Sequence, residues 1–179
     1  MVLRTCAFVL IAVALPAAAQ KGSGDQVAPG AVGQDRISRE VRHQLVMLPY
    51  YGIFDNLAYS VNGSAVTLSG QVTRPTLKSD AAAAVKGIEG VTRVENHIQV
   101  LPLSEMDDRI RTATYRAVYG DASLNRYALQ AVPPIHIIVD NGKVTLVGVV
   151  ASESDKNIAG LRANGVSGVF SVDNQLRVE

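Results

Sequence analysis

The strongest constraint on this chain is internal repetition: Val66 to Val100 lies on Val144 to Val178 at a constant offset of 78, without a gap. Of those 35 positions 13 are identical, namely Val66, Thr67, Leu68, Gly70, Val72, Lys78, Ala81, Gly87, Gly90, Val91, Val94, Asn96 and Val100. The set is made of sheet formers, glycines and a turn-type asparagine rather than catalytic groups, so it records a fold that was duplicated. The expectation is a binding module used twice, and the repeat does not disclose what is bound.

The first twenty residues read as an address. Met1 to Arg4 form a short basic start, Ala7 to Leu15 an apolar run, and Ala17-Ala18-Ala19 a small-residue cleavage site before Gln20. Residues 1–19 are therefore expected to be a secretory signal peptide, destined for the periplasm. The apolar run is shorter than the roughly 20 residues a spanning helix needs, and no later stretch approaches that length. Cys6, the only cysteine, falls within the leader, so a cleaved chain holds no disulfide, thiol nucleophile or thiolate metal site. Residues 20–34 are rich in Gly, Ala, Ser and Gln without an apolar period, which predicts a flexible tether.

Charge narrows the partners. The whole chain carries 17 Lys plus Arg against 16 Asp plus Glu, and loss of Arg4 with the leader leaves a formal net charge of zero. That balance argues against nucleic acid as a partner. Contact with an anionic surface has to come from a local patch. The 160 residues from Gln20 to Glu179 suffice for one fused core or two small ones. Units of about 70 residues have only a few kcal/mol in hand, so the repeats are expected to touch.

Each repeat spells the same order of elements. Ile37, Val41, Leu45 and Leu48 recur at helical spacing from about Asp35, and Pro49 ends the pattern. Leu57 to Val61 and Val66 to Val72 alternate as a hairpin about Asn62-Gly63, where one extra residue relative to the second repeat predicts a bulge or three-residue loop. A helix from Pro75 presents Leu77, Ala81, Ala84, Val85 and Ile88, with Gly87 and Gly90 at its end. A third strand puts Val94, Ile98 and Val100 on one side. In the second repeat Ser104 caps a helix whose apolar face is predicted as Met106, Ile110, Ala113 and Ala117. An irregular loop spans residues 120–134. Strands 135–140 and 143–150 meet at Asn141-Gly142, a pair suited to a two-residue turn, and Ser152 or Ser154 caps the next helix before a last strand, 169–178.

These motifs resemble the BON domain. The second repeat carries Asn-Gly-x-Val-Thr-Leu-x-Gly-x-Val at Asn141 to Val150 and Gly-Val-x-x-Val-x-Asn-x-Leu-x-Val at Gly168 to Val178. The first carries Val66 to Val72 and Gly90 to Asn96 in the same places. The resemblance implies an α+β fold of two tandem αββαβ domains, 35–102 and 103–179, each a three-stranded mixed sheet against two helices. It also implies a periplasmic or envelope protein that binds phospholipid or acts as an adaptor in osmotic and envelope stress, with no catalytic residue to transfer. The motif positions Gly70, Gly90, Asn141, Gly142, Gly148 and Gly168 are assigned structural roles.

Catalytic chemistry finds little footing in the residues. His43, His97 and His136 are scattered over a helix face and two strands without ligand spacing, so no metal or cofactor is expected. His136 alternates with Ile135 and Ile137 and is expected to face solvent or a loop. Asp107-Asp108 begins a helix, where negative charge favours the backbone dipole. The leading binding surface is a phospholipid-facing patch on the second unit: Arg109 and Arg116 share a helix face, with Arg111, Tyr115 and Tyr119 nearby and Arg126 and Tyr127 in the following loop. The competing reading is a solvated face balanced by Glu105, Asp107 and Asp108, with the tyrosines packed under the loop. An envelope-protein adaptor using sheet edges, or a holdase, is the alternative function.

Overall fold

Each repeat is built around a two-residue turn that sets the register of its sheet. The computed structural model describes residues 29–130 and 133–179, leaving aside the side chains of 29–32 and 34. The expected signal peptide, 1–19, and the tether as far as residue 28 lie outside the described residues. In the first repeat β1 (Asn56–Asn62) and β2 (Ala65–Val72) pair antiparallel, with Asn62 opposite Ala65, so Gly63-Ser64 is the turn. In the second, β5 (Ile135–Asp140) and β6 (Lys143–Val150) close around Asn141-Gly142 with Asp140 opposite Lys143. The two turns are equal in length, which corrects the expected insertion: the first is Gly63-Ser64, not a longer loop after Asn62-Gly63. Asn141 and Gly142 both have positive φ, 51° and 77°, whereas in the first turn Gly63 alone does, at 61°. Both patterns suit the right-handed twist of a hairpin.

After the hairpin a helix crosses over and the last strand returns parallel to the middle one. α2 (Pro75–Lys86) leads to β3 (Arg93–Asn96) and β4 (Gln99–Val100), both parallel to β2. α5 (Glu153–Asn164), capped by Ser152, leads to β7 (Ser171–Val178), parallel to β6. α1 (Pro29–Val46) and α3 (Glu105–Tyr119) precede the hairpins, and a short α4 (Asn125–Ala128) lies in the expected irregular loop. The architecture is α+β, two αββαβ units in tandem. α1 begins at Pro29, a residue whose fixed φ suits a first turn, so the tether expected over 20–34 overlaps helix from 29 onward.

Alternation along the middle strands builds the cores. Val66, Leu68 and Val72 on β2, and Val144, Leu146 and Val150 on β6, turn one face to the helices and are buried. Each contributes roughly 1.5–3 kcal/mol of burial. Around the first set pack Ile37, Val41, Leu45, Leu77, Ala81 and Val85. The second is covered by Ile110, Val118, Ala159 and Ala163. Gly70 and Gly148 sit where neighbouring backbone comes too close for a side chain. Their φ values are +113° and +136°, and a Cβ would collide with the carbonyl oxygen of Asn56 or Pro134.

The identical asparagines tie helix to strand. Asn96 Nδ2 donates to the Lys78 carbonyl at 2.8 Å, and its Oδ1 accepts from Ile98 N–H at 3.1 Å. Asn174 repeats this on Lys156 at 2.7 Å and Leu176 at 3.3 Å. In the first repeat the strand breaks after Asn96, which shifts the alternation: Ile98 and Leu101 are buried while Val100 is exposed, contrary to the face expected for Val100. The α3 face also differs from expectation. Asp107, Ile110, Arg111, Thr114, Val118 and Tyr119 are buried, Ala113 and Ala117 are only partly so, and Met106 is 54% exposed. Polar side chains occupy the inward stripe because each of Asp107, Arg111 and Tyr119 has an internal partner.

Candidate functional site

The first turn of α3 grips the second hairpin. Asp107 accepts from Gly142 N–H at 2.8 Å and Asn141 N–H at 3.0 Å, so its carboxylate holds the turn amides. Ser104 caps the same helix by accepting from Asp107 N–H at 3.2 Å. The motif residues Asn141 and Gly142 are thereby given their structural role. Gly90 and Gly168, at φ +90° and +88°, lie where the chain leaves each crossover helix for its last strand.

Three groups seal the free edge of β5. Tyr119 donates its hydroxyl to the Ile135 carbonyl at 2.6 Å. Ile137 N–H donates to the Ile53 carbonyl of the first repeat at 2.7 Å. Arg111 Nη2 donates to the Val139 carbonyl at 2.7 Å while Nη1 pairs with Asp108. Alternate residues along an edge strand present their polar groups outward, so these three contacts meet the edge at successive open positions. Burial raises the Tyr119 pKa well above the usual tyrosine value. Arg111 Nε and Thr114 Oγ1 are buried without a hydrogen-bond partner.

The loop after α3 uses its candidate residues in another internal network. Tyr127 donates to Asp155 Oδ2 at 2.9 Å and accepts from Ala151 N–H at 2.8 Å. Arg126 reaches the same Asp155 oxygen at 2.5 Å and lies over the Tyr127 ring, 4.9 Å from its centroid. Burial alone would raise the Asp155 pKa, but hydrogen bonds from Ser152, Tyr127 and Arg126 outweigh it and hold the carboxyl below its usual range. In the first repeat the corresponding end of β2 is held by Asp55, which accepts from Thr73 N–H at 2.6 Å and Thr73 hydroxyl at 2.9 Å.

Asp55 also belongs to the joint between repeats. Its backbone carbonyl lies 2.7 Å from His136 Nδ1, and Tyr51 stacks on the imidazole at a centroid distance of 5.6 Å. Burial lowers the His136 pKa, opposed by the Asp55 and Gly52 carbonyls. Together with the Ile53–Ile137 hydrogen bond, this makes the 50–55 loop a bracket between the two sheets. The repeats touch, and His136 is the loop-contacting histidine that its place in the alternation predicted.

Of the seven patch candidates, Arg111, Tyr119 and Tyr127 are buried and occupied internally, so they are corrected to structural residues. Arg126 is half exposed with its guanidinium committed to Asp155. Arg109, Tyr115 and Arg116 remain on the surface, Tyr115 with its ring 5.0 Å from that of Tyr119. Arg109 and Arg116 lie on the outer face of α3, away from Ile110, Thr114 and Val118. At the start of the same helix, one turn before Arg109, is an apolar tip missed by the sequence reading. Met106 lies against Gly168, its Cε 3.7 Å from where a Cβ there would sit, and Phe170 two residues on is 82% exposed. The signal for Phe170 was present in the repeat, since it occupies the position that Thr92 holds in the first copy.

The sequence matches the BON domain over residues 33–102 and again over 107–179. The chain belongs to the BON domain family. It is similar to osmotically-inducible protein Y of Escherichia coli strain K12, with 30% identity over 126 residues, 69% of this chain and 62% of that protein. It is also similar to outer membrane lipoprotein DolP of Haemophilus influenzae, 32% identical over 120 residues, 64% of this chain and 58% of that one. The alignments thus span about three-fifths of each relative's length. Among solved structures, the C-terminal domain of CdsD, the structural protein of the Type III secretion system of Chlamydia trachomatis, aligns with a TM-score of 0.28 at 12% identity. That alignment covers 79% of this chain and 96% of the other, a likeness too slight to bear on fold or function. Among the described residues, no helix is long and apolar enough to cross a membrane.

Proposed function

We propose that this BON protein is a non-catalytic binding protein of the cell envelope, exported to the periplasm, that attaches to phospholipid surfaces in osmotic or envelope stress. The names of the two relatives, one osmotically inducible and one an outer membrane lipoprotein, support the setting. The observation that carries the lipid reading is the exposed apolar pair Met106 and Phe170 at the tip of the second BON domain, from which the outer face of α3 continues through Arg109, one turn beyond Met106, to Arg116, two turns further on. Arginines on a peripheral surface each add about 1 kcal/mol of attraction to an anionic bilayer. A Met or Phe side chain entering the acyl boundary adds roughly 1.5–3 kcal/mol. Neither class of contact suffices alone for stable attachment, but together they give reversible, salt-sensitive binding.

Flotation with zwitterionic and anionic liposomes at low and high salt tests this reading. Binding is expected only to anionic vesicles and only at low salt. Arg109→Glu with Arg116→Glu removes two attractions and adds two repulsions, so vesicle affinity falls by several hundredfold while circular dichroism is unchanged. Undiminished flotation of that folded double variant rules the surface out.

A further inference from the structure

We propose that two copies of this chain join through β7, edge to edge and antiparallel, to form one continuous six-stranded sheet from the two second-repeat sheets. The lateral edges of this sheet differ in a way that leaves only one available. The β5 edge is sealed by Tyr119, Ile53 and Arg111. β7 pairs with β6 along its whole length, from Ser171 opposite Lys143 to Val178 opposite Val150, and among the described residues no strand lies on its outer side. Its counterpart in the first repeat is cut into pieces of four and two residues, whereas β7 runs for eight. An uninterrupted edge of that length is a template for another strand.

Charge selects a second copy as the partner and sets the register. Ser171, Asp173, Gln175 and Arg177 are the exposed residues that alternate along the open face of β7. In an antiparallel self-pairing centred on Gln175, Asp173 of each copy lies opposite Arg177 of the other, and Val172 lies opposite Val178. A slip of two residues puts Asp173 opposite Gln175 or Glu179 and so removes its pairing with Arg177, and a slip of four puts Asp173 opposite Asp173 or Arg177 opposite Arg177, which like-charge repulsion disfavours. In the single copy Asp173 accepts from Gln175 Nε2 at 2.7 Å, so the carboxylate is already held on this face. Leu176 N–H is engaged by Asn174 Oδ1 at 3.3 Å, a long contact that strand pairing can replace. The two-fold axis of such a pair leaves both helical layers on the same side of the joined sheet.

Sedimentation equilibrium of the purified protein tests the pairing, with Asp173→Arg, Arg177→Asp and the doubly exchanged chain alongside. The wild type is expected to dimerise, and each single exchange to weaken dimerisation by roughly tenfold or more, because the symmetry counts every like-charge pair twice. The double exchange restores opposite charges and is expected to recover the dimer. A second readout is Gln175→Cys in a Cys6→Ser background, which on oxidation should trap a disulfide-linked dimer, since directly opposite residues on paired strands lie within disulfide reach. A chain that stays monomeric up to the order of 1 mM overturns the proposal. So does a dimer indifferent to all three charge variants, or one that the double exchange fails to restore while circular dichroism remains native.

Discussion

Replacing Arg111 by methionine distinguishes an arginine that holds the fold from one that holds a lipid. The Arg111 side chain is 5% exposed; Nη2 donates to the Val139 carbonyl, Nη1 pairs with Asp108, and Nε is buried without a partner. Methionine keeps the apolar stem and removes the head. Loss of the charged hydrogen bond to Val139 costs roughly 1.5–3 kcal/mol. Loss of the Asp108 pair adds at most about 1 kcal/mol, because that carboxylate is 68% exposed and rehydrates. Removing the unpartnered Nε gives back about 1 kcal/mol or more. The net expectation is a destabilisation of about 1–2 kcal/mol, read as a urea midpoint lowered by roughly 0.5–1 M for a domain of this size. Vesicle flotation of the folded variant should be unchanged. An unaltered midpoint combined with lost flotation would refute the argument that Arg111 seals the β5 edge.

Two further perturbations probe the scaffold. Gly148→Ala places a Cβ against the Pro134 carbonyl at φ +136° and should cost about 2–4 kcal/mol, whereas Gly165→Ala, at φ −79° with 3.6 Å of clearance, should be nearly neutral; thermal denaturation of both measures the contrast. His136 gives the joint a pH dependence whose sign follows from burial: its folded pKa lies below the ordinary 6.5, so the unfolded chain binds the proton more readily. The stabilisation is complete above about pH 6.5 and declines as pH falls below it. Denaturation midpoints at pH 7.5 and 5.5 should therefore differ by more in the wild type than in His136→Gln.

The fold was legible because burial wrote itself into the sequence twice. Val66, Leu68 and Val72 recur as Val144, Leu146 and Val150, and the glycines at the close approaches, Gly70 and Gly148, recur with them. What escaped were features in which a polar group goes inside. Arg111, Tyr119 and Tyr127 look like surface residues on composition, and only the positions of Val139, Ile135 and Asp155, far along the chain, show why they are buried. The α3 face was misassigned for the same reason, since Asp107 and Arg111 occupy the inward stripe that Met106 and Ala113 were expected to fill. The first turn was misplaced because Asn62-Gly63 is a strong hairpin signal, yet the register that buries Val66 and Leu68 sets the turn one residue later. Arg109 and Arg116 are both exposed on α3. Phe170 was hidden at the start of a strand pattern.

The chain contains no tryptophan, so Phe170→Trp introduces a single fluorescent reporter at the proposed contact. Titrating that variant with anionic vesicles at low salt tests lipid attachment most directly. The account predicts a blue shift and quenching by brominated acyl chains, both abolished by high salt and by Arg109→Glu with Arg116→Glu. Vesicle binding with no change in the emission of Trp at position 170 would contradict it, because the protein would then meet the bilayer through a different surface.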